Sequence, residues 1–410
     1  MVEKKIVVVH AGKRDDYQVA LALEEGNLLE FLVTDMYWPL DNKVCNYFMS
    51  LMGLNKIGEK NFKKGLTYKH VVISKRAFFL FVTMKIFKTT KFNPLKDELL
   101  GLKANKIARR MGCNILSMNT YGYYAFQNLP TANKILFQFH PHPLAVKQLF
   151  LEEICLYPKS ATSLNKEYEL TLSNKELQCL IDEPLMANLI ITASSYTKNT
   201  LVEYGAAEKQ IKVIPYGVDV LKFPFYNRKI SKKKDPKFFN ILFIGSLNQR
   251  KGILYLLEAI EKLANKNVQL LIVGRGIFDL NLLNKNTVSK VSVFNNLSQQ
   301  GLVDLMHQSD VFVLPSIVEG FGQVILEAMC TGLPVIASVN SAAPDLIINN
   351  YNGFTMPLRD VNFLMNKLNF LIEHPEITLT MGENAHKNVI ENYSWQIFRQ
   401  KIVQTLNNNC

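Results

Sequence analysis

The sequence predicts an α/β protein of two domains, each a parallel sheet with helices wound against it. Three observations carry this. The chain has 410 residues, too many for one ordinary core and about right for two. Short β-branched runs alternate with amphipathic helical patterns, the punctuation of a parallel sheet. And 48% hydrophobic with 20% charged residues is the composition of a folded globular chain.

The elements follow in order. Lys4 and Lys5 lead straight into a buried-strand pattern at Ile6–Val9, too short and too soon followed by charge to be a signal peptide, which predicts an intracellular start. A helical pattern over 17–24 comes next, then strands over 135–139 and Leu189–Thr192, a helix over 197–204 and a strand over 211–214. The second half is the cleaner Rossmann-like half. It reads as Phe239–Ile244, a helix from about 252, a strand over 269–273, a helix near 298–306, Val311–Leu314, a helix from about 322 and a strand over 334–337. Residues 224–237 lie between the halves, bounded by prolines, carrying Arg228, Lys229 and the run 232–234, and read as an exposed basic linker. In the last helix, 395–406, Trp395, Phe398, Ile402 and Leu406 fall on one face. The expected domains are therefore 1–218 and 219–392, with the helix at 393–410 packing back on the first.

Composition excludes several classes. The apolar stretch 77–84, bounded by Lys75, Arg76 and Lys85, is far shorter than the 18 or more residues of a membrane span. Cys45, Cys113, Cys155, Cys179, Cys330 and Cys410 are scattered without CxxC pairs, so reduced, structural thiols are expected. A net charge of +12 calls for an anionic partner without choosing among phosphate, nucleic acid and acidic lipid. No nucleic-acid module is recognisable, and that partner ranks last. The stretch 62–92 interleaves lysines with Phe62, Phe78, Phe79, Phe81, Phe87 and Phe92; it reads equally as a membrane-interface surface drawn to acidic lipid or as a buried helix with snorkelling lysines.

Chemistry concentrates in the segment 311–327. A buried strand ends in Pro315-Ser316-Ile317-Val318-Glu319-Gly320-Phe321-Gly322, and a helix carrying Glu327 opens behind it. Ligands of open α/β sheets gather at this carboxyl edge. The glycines let backbone N–H groups approach a ligand, the helix start favours an anionic or hydroxyl-rich one, and carboxylates accept hydrogen bonds from adjacent hydroxyls. A second site is Gly245-Ser246-Leu247-Asn248-Gln249-Arg250-Lys251-Gly252, between a strand and a helix. Two cations at a helix amino terminus repel its dipole unless an anion sits there, and a diphosphate is the natural candidate.

The first segment resembles the retaining family-four glycosyltransferases, the group 1 glycosyl transferases, whose signature pairs two glutamates eight positions apart as Glu319 and Glu327 are. The resemblance implies a GT-B fold, two Rossmann-like domains facing each other across a cleft. It also implies transfer of a hexose-type sugar from a nucleotide-diphosphate sugar to a glycan or lipid-linked acceptor, in surface polysaccharide or glycoconjugate synthesis. Glu319 with Gly320, Phe321 and Gly322 would hold the donor sugar, and Glu327 the ribose hydroxyls. Gly245, Ser246, Arg250 and Lys251 would hold the diphosphate, although the family often has arginine where Ser246 stands. His140, in Phe137-Gln138-Phe139-His140-Pro141-His142-Pro143, matches a cleft histidine of the family better than His142 does. Gly12 matches the glycine-rich loop after the first strand, and 194–198 with 213–219 match the end of the first domain. The resemblance is specific after about residue 189 and weak from about 38 to 133.

No Asp-x-Asp triplet occurs, so Lys251 and Arg250 are expected to take the place of a metal, with Glu319 and His140 completing the catalytic set and no cofactor beyond the donor itself. Alternatives are a nucleotide-sugar epimerase or phosphorylase of the same fold and a non-catalytic sugar-nucleotide-binding scaffold. Hydride chemistry is disfavoured, because Gly274-Arg275-Gly276 lacks the third glycine of a dinucleotide fingerprint. The expected location is cytoplasmic, peripheral on the inner face of the membrane.

Overall fold

A computed structural model describes residues 4–38, 47, 61–129, 132–229, 238–263, 267–276 and 291–409. Among them two sheets form, and every strand pair is parallel. The first holds β1 (Ile6–Val9), β2 (Leu29–Thr34), β3 (Val71–Ile73), β4 (Asn114–Met118), β5 (Lys134–Gln138), β6 (Leu189–Thr192) and β7 (Ile211–Val213), in the order 3-2-1-4-5-6-7. The second holds β8 (Phe239–Ile244), β9 (Val268–Val273), β10 (Val291–Phe294), β11 (Val311–Leu314), β12 (Val335–Ser338) and β13 (Gly353–Met356), in the order 10-9-8-11-12-13. Strands covered on both faces can be apolar throughout, as β1 is: all four of its residues are buried. The α/β expectation of two Rossmann-like units is what the chain forms.

Each strand order reverses once, between β1 and β4 in the first sheet and between β8 and β11 in the second. At such a point neighbouring loops part and leave a crevice at the carboxyl ends of the strands. The loops after β8 and β11 are the two motifs read from the sequence; the loop after β1 carries Gly12.

The helices that position the site are α1 (Gln18–Glu25), α2 (Lys75–Ile86), α3 (Asn93–Met111), α4 (Pro143–Leu156), α5 (Ser195–Glu203), α6 (Ile253–Lys262), α7 (Gln323–Cys330) and α8 (Trp395–Asn409). Helix α8 buries Phe398, Ile402 and Leu406 in the first core, where the Phe398 ring meets Phe137 edge-on at 6.3 Å, and Arg399 Nε reaches Glu25 at 2.7 Å. Helix α4 follows the first sheet's β5, yet its Val146 and Phe150 join the second core. Its Glu153, fully buried there, accepts hydrogen bonds from Gln249 Nε2 (2.7 Å), Tyr255 Oη (2.7 Å) and Arg359 Nε (2.9 Å), tying the two units together.

Two expectations need correction. Arg228, read as part of an exposed linker, is instead a clamp: its guanidinium donates to the carbonyls of Met306 (2.7 Å), Gly332 (2.8 Å), Thr331 (2.9 Å), Ser309 (3.1 Å) and Tyr226 (3.3 Å). Five fixed donors suit a cluster of helix-end and turn carbonyls, so the charge is satisfied inside the fold. The run 232–234 lies outside the described residues. Nor is the basic aromatic stretch a buried helix. Helix α2 buries only Ala77 and Met84, leaving Phe79 69% exposed beside Phe78, Lys75, Arg76 and Lys85, with Ile86 and Phe87 exposed at its end. Among the described residues no helix is long and apolar enough to cross a membrane.

Candidate active site

Close backbone contact builds the site. Gly252, at φ +69°, caps α6, and a Cβ there would stand 1.9 Å from the carbonyl oxygen of Pro315, so only glycine lets the loop after β8 press on the loop after β11. Ile317 N donates to Arg250 O at 2.8 Å across that seam. The loop after β11 then meets the first domain: a Cβ on Gly320 would lie 2.1 Å from Phe139 O, and Gly320 O accepts from Ser194 Oγ (2.6 Å) and Thr197 Oγ1 (3.2 Å) at the start of α5. Gly320 therefore serves the junction between domains as well as the loop itself. Ser195 and Asp345 pair alongside it, with Ser195 N to Asp345 Oδ2 at 2.8 Å.

This geometry gathers Glu319, Lys251, Arg250 and His140 at one place. Lys251 Nζ pairs with Glu319 Oε2, both side chains largely buried, and the lysine stem lies over Gly245. Burial, the largest influence on Glu319, pushes its carboxyl up, but Lys251 and Arg250 outweigh it and hold the group below the usual range, so Glu319 is ionised. Arg250 Nη1 reaches Glu167 Oε2 at 3.1 Å, and Asn248 Nδ2 donates to Glu167 Oε1 at 2.7 Å. The sequence argument that the two cations demand a bound anion is thus met within the protein by Glu319 and Glu167. Glu167 was not foreseen, since a single carboxylate between short helices leaves no periodic signal.

His140 is held neutral: burial first, then the charges of Arg250 and Arg14, lower its pKa to about 3. His142 has a local role. Its Nδ1 accepts from Leu144 N at 3.3 Å as the cap of α4, and its ring stacks on Tyr204 at 4.3 Å. The N–H groups of Gly320, Phe321 and Gly322, ahead of α7, have no hydrogen-bond partner among the described residues. The Phe321 ring is buried edge-on against Tyr216 at 5.2 Å, so it supports the loop rather than facing a ligand. Glu327 stands apart on α7, and burial alone raises its carboxyl to about 7. Ser246 is exposed. The N–H of Gly12, in the loop that matches the family's glycine-rich one, donates to Asp35 Oδ1 at 2.7 Å, while Arg14 beyond it lies 4.5 Å over the Phe139 ring. Among the described residues no group of three His, Cys, Asp or Glu side chains is placed to hold a metal ion.

The model for group 1 glycosyl transferases matches residues 224–388, which span both loops at the second switch point. Over that stretch the chain is similar to the group 1 glycosyl transferases. It is 27% identical over 237 residues to the capsular polysaccharide biosynthesis glycosyltransferase CapM of Staphylococcus aureus, covering 53% of this chain and 61% of CapM. It is 31% identical over 198 residues to the UDP-Gal:alpha-D-GlcNAc-diphosphoundecaprenol alpha-1,3-galactosyltransferase of Escherichia coli, covering 45% of this chain and 51% of that enzyme. The chain thus spans little more than half the length of these relatives. Among solved structures, sucrose-phosphate synthase from Thermosynechococcus elongatus superposes with a TM-score of 0.64 at 17% identity, covering 99% of this chain and 98% of that one. Anabaena HepE in complex with UDP superposes at 0.62 and 16% identity, covering 98% and 100%. These likenesses show the fold, GT-B, with two Rossmann-like domains.

Proposed function

We propose that the chain is a retaining, family-four glycosyltransferase that moves a hexose from a nucleotide-diphosphate sugar to a glycan or lipid-linked acceptor in surface polysaccharide or glycoconjugate synthesis. The observation that supports it most is the meeting of Lys251, Arg250, Glu319 and three unpartnered N–H groups at the switch point of the second sheet. On donor entry the diphosphate takes Arg250 from Glu167 and shares Lys251 with Glu319, so developing negative charge on the leaving group meets cations already in place. Those cations do the work that a carboxylate-held metal would do. Ionised Glu319 accepts hydroxyls of the sugar, Glu327 those of the ribose, and neutral His140 borders the cleft beside them. With retention, attack and departure share one face, and the leaving diphosphate takes the acceptor's proton; no side chain acts as general base.

The exposed face of α2 supports a second part of the reading, a protein that works on the cytoplasmic face of a membrane. Phe78, Phe79, Ile86 and Phe87 enter the interface while Lys75, Arg76, Lys85 and Lys88 meet acidic head groups. Thermal shift against UDP-, GDP- and ADP-hexoses tests the donor site: one of them is expected to stabilise the chain, and stabilisation by none overturns the reading. Nucleotide release only when an acceptor is present separates a transferase from an epimerase, which converts donor alone, and from a scaffold, which releases nothing.

A further inference from the structure

One carboxylate of the first unit holds the turn that carries both cations of the candidate site. Glu153 on α4 is fully buried, and side chains of the second unit occupy both its oxygens. Its Oε1 accepts from Gln249 Nε2 and Tyr255 Oη, each at 2.7 Å, and its Oε2 from Tyr255 Oη and Arg359 Nε, each at 2.9 Å. Gln249 is 2% exposed and opens the 3₁₀ turn Gln249–Lys251, so Arg250 and Lys251 directly follow an anchored residue. Its side-chain amide is fixed on both atoms: Nε2 on Glu153, and Oε1 accepting from Leu254 N at 3.2 Å in the first turn of α6. The backbone closes behind it, with Gly252 N donating to Gln249 O at 2.8 Å and Lys251 N to Asn248 O at 3.1 Å.

Two features argue that this arrangement serves position more than adhesion. Burying a charged cluster costs desolvation that its mutual attraction barely offsets, so apolar packing here would join the units as well or better. And Arg359 reaches Glu153 from a backbone φ of +65°, a left-handed conformation that bulky L side chains rarely adopt. Strain of this kind persists only where the surroundings over-determine it, and it gathers where geometry must be fixed. Glu167 shows the contrast. It holds Asn248 Nδ2 at 2.7 Å and Arg250 Nη1 at 3.1 Å, but the Arg250–Glu167 pair keeps 17% and 14% exposure, within reach of an arriving anion, whereas Glu153 keeps none.

We propose that Glu153 is a positioning residue: through Gln249 it sets where Arg250 and Lys251 stand relative to the first unit, and so where the leaving diphosphate meets them. The proposal rests on the donor-site reading for its effect on turnover, and on the geometry alone for the hold on the turn. Hydrogen exchange and steady-state kinetics on the full chain test it in wild type, Glu153→Gln, Gln249→Met and Tyr255→Phe, with the UDP-, GDP- or ADP-hexose that stabilises the chain most and a panel of octyl pyranosides. Glu153→Gln turns an amide NH₂, which cannot accept, toward Gln249 or Arg359, and Gln249→Met removes the tie from the other side. Both are expected to speed exchange at Lys251 and Gly252 about tenfold or more. Both should also cut kcat about tenfold or more and shift donor KM less than about threefold, because a misplaced cation is felt most where charge develops. Tyr255→Phe removes a bond to the same carboxylate without touching Gln249, so exchange at those amides and kcat should stay within about threefold of wild type even as Tm falls. Should Glu153→Gln not fold, Gln249→Met carries the test. Wild-type exchange at Lys251 and Gly252 in the variants that fold overturns the proposal. So do losses of kcat that follow Tm through Tyr255→Phe as well, which would leave Glu153 a structural role only. A wild type that transfers nothing counts against the donor-site reading instead, and exchange still decides the hold on the turn.

Discussion

Replacing Lys251 with methionine separates the structural work of the Lys251–Glu319 pair from its chemical work. Both side chains are largely buried, at 18% and 15% exposure, so the change strands an ionised Glu319 in a poorly solvated place. Breaking a buried pair from one side costs about 3–5 kcal/mol; the residual exposure and the nearby Arg250 place this one near the lower end, about 3 kcal/mol. Lys251→Met should lower stability by that amount in urea titration. Glu319→Gln added to it should restore most of the loss, because the stranded charge is gone. Turnover should behave differently. Losing a cation aimed at the leaving diphosphate is expected to cut kcat about 10²–10³-fold, and the double variant should recover none of it. Recovery of turnover together with stability would refute the reasoning, since Lys251 would then serve only to neutralise Glu319.

Three further outcomes follow from the structure. Glu327, raised to about 7 in the free site, must be ionised to accept ribose hydroxyls, so donor affinity by calorimetry should rise with pH up to about 7 and level off above; Glu327→Gln should flatten the profile, and a wild-type profile without slope would remove Glu327 from the donor site. Arg228→Met leaves five carbonyls without their charged donor and should cost about 3 kcal/mol or more in urea titration while donor affinity holds; unchanged stability would show that the clamp does not bear on the fold. Phe79→Glu and Phe87→Glu sit on exposed positions, so stability should change by less than about 0.5 kcal/mol while co-flotation with phosphatidylglycerol vesicles falls sharply; equal flotation would remove α2 from any membrane contact.

The legible parts of the fold were those where sequence and environment agree. β1, β6 and β11 are nearly continuous apolar runs because parallel strands bury both faces, and β8 is one but for Asn240; all were readable. The missed strands break that pattern for physical reasons. β2 carries Glu30 on a half-buried position, β4 opens on a buried Asn114, β13 opens on Gly353, and β3 is three residues long. In the site, chemistry carried by contiguous loops was visible in the sequence: Glu319, Lys251 and Arg250 belong to two short segments that the switch point brings together. Chemistry assembled across the domains was not. Glu153 comes from α4 and Glu167 from the turn between the short helices after it, and their partners lie 81 or more residues away in sequence, so nothing local announces them. Arg228 shows the reverse error, a charge in a proline-bounded stretch that reads as solvated until four carbonyls from two other segments close on it.

Product stereochemistry is the most direct test of the central claim. The chain, incubated with the α-linked nucleotide hexose that stabilises it and with a panel of octyl pyranosides, should release nucleoside diphosphate and form an α-linked glycoside, read from the one-bond coupling between the new anomeric carbon and its proton. A β-linked product would contradict retention, and bound donor that yields neither nucleotide nor glycoside with any acceptor would contradict transfer itself.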